Sequence, residues 1–261
     1  MKEYYKKEYQ EIKYILTSSM RTKLIISIFE GSKNLENLRQ ELKKPSATIL
    51  HGLKELENLN FVKKKNKFYS LSSNGYLLAV NMIKLIENWY SIDKNMIFWK
   101  NHYIGCIPEE SLKNLYQLKD AKCIISENND LSKPFKEYVN LIRNSENLKL
   151  ILPIFSEIHL ENIFNLLKNK NLEKIEIITN SEILESLESS KFKKYLKNNE
   201  KVEFIIIDKN LKIFLTCSNK FVSLSLFLSD GYYDDSQILI DESEIGIEWG
   251  LEIFNKYKYE K

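Results

Sequence analysis

The chain has 261 residues, of which 43% are hydrophobic and 29% charged, and its formal net charge at pH 7 is +3. This hydrophobic fraction is sufficient for one large packed domain or two modest ones. Apolar runs are all too short to span a bilayer, and the first ten residues are charged, unlike a signal peptide. We therefore expect a soluble, cytoplasmic protein with no membrane partner.

The cysteines are three in number and widely spaced, at Cys106, Cys123 and Cys217. The sequence has no CxxC pair and no Cys/His pairing, which argues against a metal centre and against a disulfide framework. Buried, unreactive thiols are the expected outcome, and a redox-sensing thiol is the alternative. Only 7 glycines occur, and GxGxxG and P-loop patterns are absent, which disfavours a nucleotide-phosphate site. We expect neither a metal nor a cofactor.

Charge is distributed unevenly along the chain. Residues 1–90 hold 16 Lys and Arg against 9 Asp and Glu, whereas residues 91–261 hold 23 against 27. This asymmetry is typical of a DNA-binding domain joined to a domain that does not bind DNA. The alternative explanation is that the organism's proteins are generally rich in lysine and that the uneven distribution is chance. We predict a winged helix-turn-helix domain with a linker helix over 1–92, and an α/β regulatory domain over 93–261.

The pattern of residues 18–71 predicts the winged helix-turn-helix itself. Its parts are an apolar helix over 20–31, a short helix over 34–42, a tight turn over 43–45, a third helix over 46–60, and a Lys-rich hairpin over 61–71. In the third helix one apolar stripe is formed by Ile49, Leu53, Leu56 and Leu59. Pro45 closes the turn, Ser46 is a suitable N-cap, and Asn60 can end the helix in the left-handed conformation.

Each part of such a module has a physical role on a DNA duplex. The third helix enters the major groove, and the basic hairpin, or wing, follows the phosphates. The residues predicted to read bases are Ser46, Thr48, His51 and Lys54. The wing lysines are Lys63, Lys64, Lys65 and Lys67, and the outer phosphate contacts are Arg39 and Lys44. There are two alternatives: this face of the third helix is merely exposed to solvent, or the winged helix binds protein.

A long helix is predicted to start near Ser73, after the wing. Its wide apolar stripe consists of Leu77, Val80, Ile83, Leu85, Ile86 and Trp89. The stripe favours two interpretations equally: a dimer seam, or packing against the chain's own second domain. A homodimer would match the two-fold half-sites that helix-turn-helix proteins read.

Strands and helices alternate in the second half of the chain. The predicted strands cover 122–126, 148–154, 174–180, 202–208, 212–217 and 221–228, and the predicted helices cover 135–145, 156–170, 181–198 and 240–261. Alternation of this kind predicts a mostly parallel sheet with helical crossovers, and the late run of strands predicts an antiparallel part. The fold class is therefore α+β or α/β with two domains.

Several short motifs occur in an order that resembles a known family. They are Phe98-Trp99 with His102, Ile107-Pro108, then Asp230-Gly231-Tyr232-Tyr233-Asp234, and finally Trp249-Gly250 with Phe254. In this order they resemble the archaeal methanogenesis regulatory (filamentation-linked) transcriptional regulators. The resemblance implies a DNA-binding N-terminal domain and a C-terminal regulatory domain whose effector is unassigned.

The element order of the second half also resembles the phospholipase D-like half-domain. Catalytic members of that superfamily need a His-x-Lys pair, and none of His51, His102 and His159 has Lys two residues later. We therefore expect no enzyme and no catalytic residues. A diverged phosphodiesterase-like hydrolase is the alternative, and it requires His102 or His159 in a pocket with two or more carboxylates.

Aromatic residues within these motifs are candidates for an effector pocket. The candidates are His102, Trp99, Tyr232 and Tyr233, with ordinary packing as the alternative. Asp234 and Asp235 are better explained by a turn than by a cation site, since adjacent carboxylates rarely face one ion. The sequence thus predicts a homodimeric transcriptional regulator of double-stranded DNA whose C-terminal domain either binds an unidentified small-molecule effector or serves dimerisation.

Overall fold

The computed structural model describes residues 4–169, 171–196 and 199–259. The chain divides into two compact units between residues 86 and 87, inside the long helix that follows the wing and six residues before the expected domain limit. Within the described ranges, no helix is both long enough and apolar enough to cross a membrane.

The first unit combines helices with a small antiparallel sheet. Its elements are α1 (Tyr4–Leu16), α2 (Ser19–Phe29), β1 (Lys33–Asn34), α3 (Leu35–Leu42), α4 (Ser46–Asn58), β2 (Val62–Lys65) and β3 (Phe68–Leu71), and α5 (Ser73–Lys94) leads out of it. The sheet order is β1-β3-β2. The predicted helices and hairpin are therefore present, and α1 is an additional helix that was not predicted.

The apolar stripe of α4 forms most of its contact with the core of this unit. Ile49, Leu53 and Leu56 are fully buried together with residues of α2 and α3. The prediction that Leu59 belongs to the stripe is wrong, because α4 ends at Asn58 and Leu59 is 38% exposed. Ser46 is likewise not the N-cap: it is the first helical residue, and the cap position is held by Pro45 without a side-chain hydrogen bond.

Turns with positive φ shape the connections around α4. Lys43 (φ 50°) closes α3, and Asn60 (φ 57°) ends α4 in the left-handed conformation as predicted. Asn66 and Lys67, with φ of 48° and 67°, form the two-residue turn between β2 and β3. Two consecutive left-handed residues match the right-handed twist of a hairpin, so the wing is a tight β-ribbon.

Replacing Gly75 by Ala is expected to destabilise the first unit by about 2 kcal/mol or more. A Cβ at Gly75 would lie 1.9 Å from the Phe61 carbonyl oxygen, which is backbone and cannot rotate away. Urea unfolding monitored by circular dichroism measures the loss. Asn74→Ala, at the neighbouring exposed position, is the control. Equal unfolding midpoints for the two variants would contradict the close approach of Gly75 to the Phe61 carbonyl.

The second unit is a seven-stranded sheet with helices on both faces. The strands are β4 (Lys122–Ile125), β5 (Asn147–Ile151), β6 (Lys174–Thr179), β7 (Val202–Ile206), β8 (Ile213–Cys217), β9 (Val222–Leu226) and β10 (Gln237–Asp241). The helices are α6 (Met96–Asn101), α7 (Glu109–Leu112), α8 (Lys133–Ile142), α9 (Glu157–Asn165), α10 (Ser181–Glu188), α11 (Lys193–Leu196) and α12 (Glu244–Tyr259), with short 3-10 helices at Leu115–Leu118 and Leu166–Lys168.

The prediction of a mostly parallel sheet is wrong. The strand order is β4-β10-β9-β8-β5-β6-β7, and only the β5–β6 and β6–β7 pairs are parallel. The difference arises from β10, which the sequence reading did not identify as a strand. With β8 and β9 it forms an antiparallel meander that inserts between β4 and β5, so β4 pairs antiparallel with β10 instead of joining the parallel strands.

The four helices predicted for the second half differ in extent from the observed ones. The helix predicted over 135–145 is Lys133–Ile142, and the one predicted over 156–170 ends as an α-helix at Asn165. The helix predicted over 181–198 is divided into α10 and α11. The Ser190 hydroxyl donates to the Leu187 carbonyl (2.8 Å) and accepts from the Phe192 amide (3.1 Å), and these hydrogen bonds end the first helix. The closing helix begins at Glu244 rather than at Ile240. The predicted ends at 170, 198 and 261 lie outside the described residues.

Each face of the large sheet has its own hydrophobic core. On one face α12 contributes Trp249, Ile253 and Phe254. On the other face α8, α9 and α10 cover the sheet. Gly250 brings α12 close to the sheet, since a Cβ there would lie 2.4 Å from Cγ2 of Val222. The second face also leaves a cavity, which is described below.

Candidate nucleic-acid interface and ligand cavity

The outer face of α4 carries the residues predicted to read bases. Thr48, His51 and Lys54 are exposed, and Ser46 is half-buried at the start of the helix. Leu50 is exposed between them, although it is a large apolar residue. The helix therefore presents short polar groups, donors and one apolar side chain on one accessible surface, as base recognition in a major groove requires.

The wing lysines are exposed and have no carboxylate partner among the residues that the structure describes. Lys64 instead lies over the ring of Tyr69, with Nζ 5.2 Å from the ring centroid. Lysines of the second unit are commonly paired, as Lys174 is with Glu203 (2.6 Å) and Lys136 with Asp130 (2.8 Å). Concentrated, uncompensated positive charge on a hairpin is the electrostatic signature of a phosphate-binding surface.

The acidic residue Glu55 of α4 lies beside this surface and is engaged by other residues of the first unit. Glu55 of α4 accepts hydrogen bonds from the Tyr14 hydroxyl (2.7 Å) and from Arg21 (3.0 Å), and these contacts hold the pKa of its carboxyl below its usual range. His51 lies 3.7 Å from the same carboxylate. Of the predicted outer contacts, Lys44 is exposed and Arg39 lies 3.6 Å from Glu36.

The four residues predicted for an effector pocket are not brought together. His102 is buried, with Nδ1 2.5 Å from the Phe98 carbonyl and Nε2 3.1 Å from a carboxylate oxygen of Asp234. Trp99 packs against the α12 core, and Tyr232 is 74% exposed. Tyr233 alone of the four lines the cavity of the second unit.

This cavity has a volume of about 360 Å³ and lies between α8, α9 and strands β8–β10. Its wall contains Phe135, Tyr138, His159, Phe214 and Tyr233, whose rings are in mutual contact. The sequence predicted Tyr233 for an effector pocket and His159 for the pocket of the hydrolase alternative, but it did not indicate Phe135, Tyr138 and Phe214. The one available signal was the pair Phe135 and Tyr138 on one helical face, but only the fold brings that face against the meander.

Acidification is expected to destabilise the second unit through His159. Burial lowers the pKa of its imidazole to about 4, against 6.5 in the unfolded chain, so the unfolded state binds the proton first. The contribution of His159 is therefore constant above pH 6.5, and up to about 3 kcal/mol is lost as the pH falls from 6.5 towards 4. Unfolding free energies of the wild type and His159→Gln at pH 7 and 4.5 measure this, and parallel pH profiles would contradict it.

All three cysteines are free thiols. Burial raises the pKa of Cys106 to about 12 and that of Cys123 to about 11, and it also raises the pKa of the fully buried Cys217. Thiols with such pKa values are unreactive at neutral pH. Groups of three or more His, Cys, Asp or Glu placed to hold a metal ion do not occur within the described part of the chain.

Two profiles of one family match the chain. The profile described as "Methanogenesis regulatory protein FilR1, N-terminal domain" matches residues 9–89, and the one described as "Methanogenesis regulatory protein FilR1, middle domain" matches residues 131–260. The chain belongs to the FilR1 family. The resemblance inferred from the sequence motifs is thereby confirmed.

Individual relatives are more distant. The methanogenesis regulatory protein FilR1 of Methanothrix harundinacea (strain 6Ac) is 26% identical over 166 residues, which are 61% of this chain and 37% of that relative. Among solved structures, the archaeal chromatin protein TrmBL2, described as showing a novel mode of DNA binding, has a TM-score of 0.41 at 16% identity over 89% of each chain. Quinone-bound YodB from B. subtilis has a TM-score of 0.29 at 20% identity over 31% of this chain and 93% of that one.

In this FilR1-family chain, several of the motif residues that carry the resemblance contact one another inside the second unit. Phe98, Trp249 and Phe254 share one core, and the Trp249 indole donates to the Ser111 carbonyl (2.9 Å). His102 and Asp234, which lie 132 residues apart, are hydrogen-bonded. The motifs therefore hold together the segment after α5, the loop before β10, and α12.

Proposed function

We propose that this FilR1-family protein is a transcriptional regulator that binds double-stranded DNA through its first unit. One observation supports the proposal most directly. The four wing lysines have no carboxylate partner in the described structure, and the wing follows α4, whose outer face is exposed, directly in the chain. Ser46, Thr48, His51 and Lys54 read base edges in the major groove, while the wing, Arg39 and Lys44 hold phosphates. Salt titration of binding to genomic DNA fragments tests it.

We propose further that the protein acts as a homodimer. Five of the six residues of the predicted α5 stripe are large, exposed apolar side chains: Leu77, Val80, Leu85, Ile86 and Trp89. The second copy is the occupant that fits, because a two-fold pair of reading helices matches the two half-sites of an operator. Sedimentation equilibrium of the full chain tests this, and a monomer at micromolar concentration contradicts it.

The regulator reading is favoured over a hydrolase. The cavity that contains His159 is lined by a single carboxylate among the described residues, Asp235, and His102 lies outside it. The two carboxylates that the hydrolase alternative requires are therefore not assembled around either histidine. We infer that the second unit, whose alternating strands and helices resemble a phospholipase D-like half-domain, acts as a sensor, because it contains a ligand-sized cavity. A winged helix that binds protein is tested by the same titration, because such a protein would show no salt-dependent DNA affinity.

A further inference from the structure

The cavity of the second unit is lined by aromatic rings that contact one another. The ring centroids of Phe135 and His159 are 4.8 Å apart, those of His159 and Phe214 are 5.3 Å apart, and those of Phe214 and Tyr233 are 6.2 Å apart. Tyr138 contacts Phe214 at 5.7 Å. Flat aromatic surfaces of this extent favour a ligand with a planar apolar body.

A few polar groups interrupt the floor of the cavity. Ser223 and Ser225 of β9 and Gln237 of β10 are buried there. The Ser225 hydroxyl already donates to the Gln237 carbonyl (3.3 Å), and the Gln237 amide donates to Asp234 (3.2 Å). The Ser223 hydroxyl has no hydrogen-bond partner within the described ranges, so one polar group at the floor is available to a ligand.

The charge of the residues that line the cavity distinguishes between ligands of this shape. Asp235 carries the single formal charge among the described lining residues, and neither an ion pair nor a hydrogen bond of the described structure engages it. Burial lowers the pKa of His159 to about 4 and raises the pKa of the Tyr138 and Tyr233 phenols, so these three rings are neutral at pH 7. An anionic ligand would therefore face a carboxylate without any compensating cation.

The rim of the cavity places this carboxylate beside apolar surface. Leu131 and Ile158 are 76% and 54% exposed there, and Asp235 is exposed with them. We propose that the cavity binds an organic cation, a protonated amine attached to a flat aromatic body, with the body among the rings and the ammonium group at Asp235. Ring faces attract such a cation in addition to the carboxylate. The proposal rests on the proposed function only in treating this ligand as the effector.

Three probes with one indole ring separate the contribution of charge from that of shape. Tryptamine carries an ammonium group, tryptophol a hydroxyl and indole-3-acetate a carboxylate. Isothermal titration calorimetry of the full chain without DNA is expected to give tryptamine about tenfold tighter binding than tryptophol, with indole-3-acetate the weakest. Because DNA is absent, the result does not depend on the proposed role in transcription.

Asp235→Asn is expected to reduce the preference for tryptamine over tryptophol to less than about twofold, while Asp208→Asn leaves it at the wild-type value. Asp208 is also exposed and lies outside the cavity, so both variants remove the same charge without removing a described contact. The proposal is overturned if none of the probes binds at millimolar concentration, if indole-3-acetate binds as tightly as tryptamine, or if Asp235→Asn retains the preference.

Discussion

Replacing the four wing lysines together by Gln is expected to weaken duplex binding about a thousandfold at about 0.1 M salt, and to reduce the slope of log K against log salt by about 3 to 4. Each lysine that contacts a phosphate releases counterions, so its loss removes nearly one unit of slope. Gln removes the charge and keeps a flexible polar side chain, and it is as acceptable as Lys at position 67, where φ is positive. Fluorescence anisotropy of a labelled genomic fragment at several salt concentrations measures both effects.

A matched variant shows whether total charge or location is responsible. Gln at Lys113, Lys136, Lys174 and Lys191 removes the same charge from lysines that are paired with carboxylates in the second unit. We expect this variant to retain the wild-type slope. If the two quadruple variants weaken binding equally, the wing is not the phosphate-binding surface and the DNA-binding proposal loses its main support.

Replacing His102 by Leu is expected to destabilise the second unit by about 3 kcal/mol. Both ring nitrogens of His102 face oxygen acceptors, the Phe98 carbonyl and the Asp234 carboxylate. Without His102, the donors that the described residues still offer to the buried carboxylate are those of Ser236 and Gln237. Asp234 lies between Tyr233 and Asp235, so tryptamine binding is expected to weaken as well. Urea unfolding and calorimetry measure the two effects.

The double variant His102→Leu with Asp234→Asn separates the loss of the pair from the loss of the histidine's shape. Asn removes the uncompensated charge and keeps an acceptor for the Ser236 and Gln237 donors, so we expect the double variant to be more stable than His102→Leu alone. His51→Leu, the same change on an exposed histidine, controls for the substitution itself. A double variant that is the less stable of the two would mean that packing, and not the buried pair, accounts for the loss.

The first unit was largely predictable because its signals are local. Helix α4 follows from apolar residues three and four positions apart, and Asn60 and the Asn66 turn follow from the tolerance of Asn for positive φ. Ser46 was placed wrongly as a cap, because sequence alone does not distinguish the last non-helical residue from the first helical one. Helix α1 was missed because its described side chains are mostly exposed, so no apolar stripe of it faces a core.

The second unit depends on contacts between residues far apart in the chain. Strand β10 was missed, and its pairing with β4 and β9 makes the sheet mainly antiparallel. His102 and Tyr233 were both selected from one family motif set, yet one became a buried structural residue and the other a cavity residue. Nothing in the local pattern distinguishes these two fates, because the burial of His102 depends on Asp234, 132 residues away, and the place of Tyr233 in the cavity depends on α8 and α9.

Residue order alone was therefore enough to predict the helix-turn-helix pattern of the first unit, its basic hairpin and the family, since those features depend on short periodic segments and a few ordered motifs. The residue order did not predict the cavity. Phe135 and Tyr138 come from α8, His159 from α9, and Ser223 and Asp235 from the meander and its loop. They meet because β8, β9 and β10 insert between β4 and β5, a pairing whose free energy comes from long-range packing and not from the preferences of any one segment.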